Sequence, residues 1–232
     1  MNSIRKSARV AGFLYPLMGG PFVFTFMYVL PTLIVPSNAT ATANNILAHE
    51  TLFRVGILGE LLSAVAFIFL VMALYRLLSG VNKTQASLMV GFVLVSVAIT
   101  FVNVLNSIAA LILFRGADFL VVFDKRQLDA LAMFFLRLHG QGFAVNDIFW
   151  GLWLFPFGVL VMRSGFLPRL IGILLIINCF AYLAISLTSL LMPSYGPVVF
   201  RIAMPALLGE LWIMLWLLIK GAKVQPLAAA AS

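Results

Sequence analysis

Residues 52–78 read LFRVGILGELLSAVAFIFLVMALYRLL, a 27-residue run with charge only at Arg54, Glu60 and Arg76. At about 1.5 Å rise per residue, a helix of this length is about 40 Å long. That exceeds the roughly 30 Å hydrocarbon core of a bilayer, so the stretch predicts a membrane span with polar ends. Five more apolar runs occupy 10–35, 86–114, 130–162, 167–192 and 198–219. The whole chain of 232 residues is 63% hydrophobic and 9% charged. A soluble domain carries about 25% charged residues, which excludes a water-soluble monomer, a coiled coil and a disordered chain. Each span needs about 20 apolar residues, so the length accommodates six with short connections. The expected fold is an all-α, polytopic six-helix transmembrane bundle. It forms a single domain over 1–222, and residues 223–232 have the composition of a disordered tail.

Charge placement orients the spans. With the N-terminus inside, the cytoplasmic segments hold Arg5, Lys6, Arg9, Arg76, Lys83, Arg163, Arg169, Lys220 and Lys223, and no acid. Arg54, Arg115, Lys125, Arg126, Arg137 and Arg201 fall outside or in outer helix halves. The positive-inside rule then puts both termini in the cytoplasm. The first run is too long for the roughly 7–15-residue core of a secretory signal, so it reads as an uncleaved span. The net charge of +8 forms no basic face, so nucleic acid is not an expected partner. Cys179 is the single cysteine, which excludes an intrachain disulfide. Residues 36–51 and 115–129 read as the two sizeable outer loops, the first with an Asn38-Ala39-Thr40 sequon.

An ionisable group at mid-membrane costs at least about 2.5–3.5 kcal/mol, so each one inside a span marks a packed interior or a wet cavity. Those within or near spans are Arg54 and Glu60 in span two, Arg137, His139 and Asp147 in span four, and Glu210 in span six. Arg54 and Glu60 are six residues apart, about 240° round a helix, and do not bridge each other. We therefore expect inter-helix pairs, with Arg54 or Arg137 against Glu60 or Glu210. The tetrapeptide Leu-Gly-Glu-Leu occurs at 58–61 and again at 208–211. In both, the glycine lets a neighbouring backbone approach beside an acid. Span three carries Ser96, Thr100, Asn103 and Ser107 on one face, with Asn106 beside it. Span five carries Asn178, Tyr182, Ser186 and Ser189. In span four, His139 and Asn146 share a face next to Asp147. Tyr15-Pro16 and Gly19-Gly20-Pro21 in span one, and Gly140-x-Gly142 and Pro156-x-Gly158 in span four, read either as simple proline kinks or as interrupted helices of the kind found in inverted-repeat transporters.

Several local patterns resemble a bacterial multi-pass membrane family known only as a domain of unknown function, DUF4386. They are Arg9-x-Ala11-Gly12-x-x-Tyr15, Leu74-Tyr75-x-Leu77-Leu78, His139-Gly140-x-Gly142-Phe143, Gly151-Leu152-Trp153, Arg163-Ser164-Gly165-Phe166-Leu167-Pro168-Arg169, Tyr182, and Trp216-Leu217-Leu218-Ile219-Lys220-Gly221. The resemblance implies a six-span protein of the bacterial inner membrane and supplies no catalytic residue.

The leading expectation is non-enzymatic: an outward-facing polar cavity binding or moving a small molecule, lipid or proton. Its lining would be Glu60, Glu210, Asp147, Arg137, His139, Arg54, Asn103 and Asn106. The alternatives are a membrane-embedded metal hydrolase using His139, Asp147, Glu60 and Glu210, and a structural or sensory subunit. No cofactor is expected. No Walker loop, Gly-x-Ser-x-Gly elbow or dinucleotide fingerprint is present. The bilayer is the expected partner, together with a small-molecule or lipid ligand.

Overall fold

Helix geometry is interrupted where proline or a polar side chain competes with the backbone ladder. The computed structural model describes residues 3–222, with side chains from Arg5 onward; the tail expected to be disordered lies outside the described residues. Span one consists of α1 (Ser3–Phe24), a π-helical turn (Thr25–Val29) and α2 (Leu30–Leu33). Then come α3 (Ala39–Ala48), α4 (Glu50–Leu78), α5 (Lys83–Arg115), α6 (Lys125–Leu152), α7 (Leu154–Arg163), α8 (Arg169–Leu191), α9 (Gly196–Leu207) and α10 (Gly209–Ile219). No strand occurs among the described residues. Six helical stretches are long and apolar enough to cross a membrane: Arg5–Leu33, Glu50–Leu78, Lys83–Arg115, Lys125–Arg163, Arg169–Leu191 and Pro193–Ile219. The fold is therefore all-α and polytopic.

Span four begins at Lys125, five residues before the apolar run from 130 suggests, because a reciprocal cap starts the helix early. The Asp124 N–H donates to Gln127 Oε1 and the Gln127 N–H to Asp124 Oδ1, both at 2.9 Å. This satisfies two amides that the first helical turn would otherwise leave without acceptors. Residues 36–51, expected as an outer loop, instead hold the ten-residue α3. Asn38, the sequon residue, is its N-cap and accepts from the Ala41 N–H at 2.9 Å. Breaks fall at Trp153 and Leu208, each near a proline (Pro156, Pro205) that has no N–H for the ladder. The turn between spans four and five is set by Ser164, which donates to Val161 O and accepts from the Leu167 N–H. Gly165 there adopts φ 70°, and Pro168 precedes the next helix. Only glycine takes that left-handed φ without steric cost.

The chain divides into two compact units. One comprises the described parts of Met1–Pro16, Phe67–Ser96 and Asn146–Ser232; the other comprises Leu17–Ala66 and Val97–Val145. These are not the two three-span halves of a simple repeat, since spans one to four each contribute to both units. In the second unit, Val29, Leu33, Ala43, Ile46, Phe53, Ala110, Leu111, Phe114, Ala132 and Leu136 form a buried cluster. Ala43 and Ile46 tuck α3 into that cluster, and Asn45 Nδ2 donates to Leu33 O at 3.3 Å, covering a carbonyl at the end of span one. In the first unit, Trp153 stacks on Phe157 (centroids 5.3 Å, 14°) and meets Phe67 edge-on at 5.1 Å. Leu58, Leu62, Leu105 and Ile202 are among many exposed large apolar side chains. Such a surface suits lipid contact and is too extensive for water.

Candidate functional site

In the second unit, span one crosses span two closely enough to hold the first acid in place. The Thr25 hydroxyl lies 3.0 Å from Pro21 O and 3.1 Å from Gly56 O, so it can donate within its own helix or across to span two. A Cβ on Gly59 would sit 2.8 Å from Thr25 Oγ1 and 3.2 Å from Pro21 O, so this approach requires glycine. The next residue, Glu60, meets His139 of span four: Glu60 Oε2 and His139 Nε2 are 3.0 Å apart, and each residue is 3% exposed. His139 is held from behind. Asn103 Nδ2 donates to the His139 carbonyl at 2.9 Å, and Asn103 Oδ1 accepts from Asn106 Nδ2 at 3.1 Å. A Cβ on Gly142 would run into the Asn103 amide, which explains glycine one turn beyond the histidine.

Aromatic rings wall this pair. Phe143 meets the His139 ring edge-on (4.8 Å, 89°), and Phe26 meets Phe143 at 4.6 Å. Phe22 stacks on Phe26 at 4.4 Å. In such apolar surroundings one proton between carboxylate and imidazole neutralises both groups, whereas removing either partner leaves an uncompensated charge or polar atom. The arrangement sets an acid and a base within hydrogen-bond distance of each other.

Neither arginine expected to pair with these acids does so. Arg54 Nε binds Glu50 Oε1 one turn earlier at 2.7 Å, and Arg115 Nε binds Glu50 Oε2 at 3.1 Å, joining the ends of spans two and three. Both guanidinium groups are more than half exposed, so the pairs are solvent-screened. Arg137 is exposed and donates through Nη2 to Pro36 O at 3.2 Å. The physical reason is reach: long basic side chains turn toward polar connections at span ends instead of entering the apolar interior. The i,i+4 spacing of Glu50 and Arg54 was a usable signal for the observed pair.

The second acid lies in the first unit. Gly209 repeats the role of Gly59, since a Cβ there would be 2.9 Å from Leu174 O of span five. Glu210 Oε1 accepts from Asn178 Nδ2 at 3.4 Å, and the carboxylate is hydrogen-bonded to Tyr182. Tyr15 lies within electrostatic reach of both Glu210 and Tyr182, and Asp147 within reach of Tyr182. Thus Glu60, His139, Asn103 and Asn106 come together in one unit, and Glu210 meets Asn178 and Tyr182 in the other. Tyr15, Tyr182 and Asn178 did not stand out as site residues in the sequence. Tyr182 and Asn178 sit on the polar stripe of span five, four residues apart, and that spacing was the available signal.

Among the described residues no group of three or more His, Cys, Asp or Glu side chains is placed to hold a metal ion. The metal set His139, Asp147, Glu60 and Glu210 is distributed over the two units, with only His139 and Glu60 paired. The other histidine, His49, is exposed at the C-terminal end of α3. No curated protein and no solved structure matches the chain. Residues 10–221 match the family model described as "Domain of unknown function (DUF4386)". That match covers nearly the whole chain and takes in both Leu-Gly-Glu-Leu segments, so this polytopic all-α protein belongs to the DUF4386 family.

Proposed function

We propose that this is a multi-pass protein of the bacterial inner membrane, with both termini cytoplasmic, that exchanges a proton at Glu60–His139 while binding or moving a small molecule or lipid through an outward-facing polar cavity. The observation that carries the reading is an acid and a base 3.0 Å apart, both buried, inside helices long and apolar enough to cross a bilayer. Ionisable groups in that setting are costly, and proton relays are a common use for them. Asn103 and Asn106 orient the histidine, and Thr25 and Gly59 set the position of the glutamate. Arg54 and Arg137 take no part in the proton step in this reading. Arg54 pairs with Glu50 at the start of span two, and Arg137 donates to Pro36 O beyond the end of span one.

A structural reading also has an observation in its favour: the pair satisfies itself and is sealed by phenylalanines, as a helix-locking contact would be. Proton uptake into proteoliposomes loaded with a pH-sensitive dye, driven by a potassium diffusion potential, separates the two. Uptake faster than in empty vesicles, lost in a folded Glu60→Gln protein, is the expected result. Rates equal to those of empty vesicles would refute the proton reading and leave the helix lock.

A further inference from the structure

The connection between spans three and four presents its apolar side chains outward. It reads Gly116-Ala117-Asp118-Phe119-Leu120-Val121-Val122-Phe123-Asp124, with five large apolar residues among nine. The connection between spans two and three, Ser79-Gly80-Val81-Asn82, has instead the composition of a turn surrounded by water. In the longer connection Phe119 is 75% exposed, Val121 82% and Val122 79%, and Phe123 is exposed as well.

The turn is held in this pose at both ends and in the middle. Gly116 ends α5 at φ 69°, with its N–H donating to Leu113 O at 3.2 Å. Leu120 is buried; its N–H donates to Ala117 O at 2.8 Å, and its carbonyl accepts from the Phe123 N–H at 3.0 Å. The Asp124–Gln127 cap then starts α6. With Leu120 as the inward anchor, its apolar neighbours on either side are left facing away from the unit.

What covers them follows from where the turn sits. Lys83–Arg115 has 33 residues, about 50 Å of helix against about 40–45 Å for a bilayer with its headgroups. A slight tilt therefore brings Arg115, and the turn after it, to headgroup level. Ile112, the last exposed large apolar residue of α5, precedes Gly116 by only about 6 Å of helix, so lipid-facing surface runs almost into the turn. Depth is limited by the backbone. A non-helical segment exposed to lipid is not tolerated in the hydrocarbon core, so insertion stops at the headgroup–acyl boundary. Arg115 and Lys125 are paired with Glu50 and Asp129, which leaves Asp118, Asp124 and Arg126 outside ion pairs. These make no cationic face, so binding rests on the apolar side chains and not on anionic lipid.

We propose that this turn is an interfacial anchor: Phe119, Val121, Val122 and Phe123 insert into the headgroup–acyl boundary of the bilayer that spans three and four cross. The anchor is independent of the Glu60–His139 pair and of any proton movement there.

The test places an environment-sensitive nitrobenzoxadiazole label on Val122→Cys in a Cys179→Ala background, with the full-length protein in phosphatidylcholine vesicles. Blue-shifted emission is expected. Lipid carrying a nitroxide near the headgroup should quench it several times more strongly than lipid carrying one at the chain end, or than aqueous iodide. Adding Phe119→Asp should shift the emission to the red and admit iodide. Val121→Cys, at an equally exposed position, repeats the measurement if the first variant folds poorly. Water-like emission with free quenching by iodide would overturn the proposal and leave the face to a soluble partner. Blue-shifted emission without nitroxide quenching, or one lost on dilution into excess lipid, would overturn it in favour of contact between copies of the chain. Strongest quenching from the chain end would put the turn in the hydrocarbon core and overturn it too.

Discussion

The same four residues, Leu-Gly-Glu-Leu, place an acid in each of the two compact units, and the acids end in opposite circumstances. In both copies the glycine admits a neighbouring oxygen where a Cβ would collide: the Thr25 hydroxyl at Gly59, Leu174 O at Gly209. Beyond that shared device the environments diverge. Glu60 meets a basic partner, is sealed behind phenylalanines, and is locked by a histidine that Asn103 holds from behind. Glu210 meets only a phenol and an amide and remains half-buried. A local motif therefore specifies how closely two helices approach. What the adjacent acid does depends on which residues the other helix brings.

The comparison predicts unequal costs. The largest belongs to His139→Leu, which strands the Glu60 carboxylate in an apolar site. A loss of about 3–5 kcal/mol is expected, read as a fall in the midpoint of denaturant- or heat-induced unfolding in detergent. If that variant were as stable as the parent, Glu60 would not be held by a pair at all, and the contrast between the acids would collapse. Next come Gly59→Ala and Gly209→Ala, which insert a methyl against the Thr25 hydroxyl and against Leu174 O. Overpacking of this kind costs about 1–3 kcal/mol, and similar losses in both would confirm that the two glycines play one role. A smaller effect is expected for Tyr182→Phe, which removes a hydrogen bond to Glu210: about 0.6 kcal/mol and at most about 1.7, the range for such bonds between membrane helices. A loss as large as that of His139→Leu would show Glu210 to be as tightly locked as Glu60. The smallest belongs to Arg54→Ala, which breaks an exposed pair with Glu50. Less than about 1 kcal/mol is at stake, and high salt should abolish even that. A large, salt-insensitive effect would return Arg54 to the interior.

Much of the helical layout is legible in the amino-acid sequence, because crossing a bilayer imposes a length and an apolarity that composition alone reveals. Helix starts are less so: span four begins at Lys125 because Asp124 and Gln127 cap each other, a local signal that the hydropathy run from 130 conceals. Residues 36–51 illustrate the opposite error. Their polarity suggests a loop, yet Asn38 caps a helix whose Ala43 and Ile46 complete the cluster formed with spans one to four. The candidate site was legible as a set of residue types and illegible as pairs. Arg54 was expected to seek Glu60 or Glu210 and instead bonds Glu50, where ordinary helical spacing already placed it.

By itself, then, the sequence determined that the chain is helical, that six stretches can cross a membrane, and that a few ionisable groups lie where lipid would penalise them. These follow from local quantities: hydropathy over a window, helical rise, and the absence of an N–H on proline. Only the tertiary structure decided that Glu60 belongs with His139, 79 residues away, and that Glu210 belongs with Tyr182 and Asn178. Helix packing in a membrane is directed by close backbone approach and polar contacts between distant segments, since apolar surface gains little by exchanging lipid for protein. Periodic spacing shows which polar residues share a face, and not which distant segment that face meets.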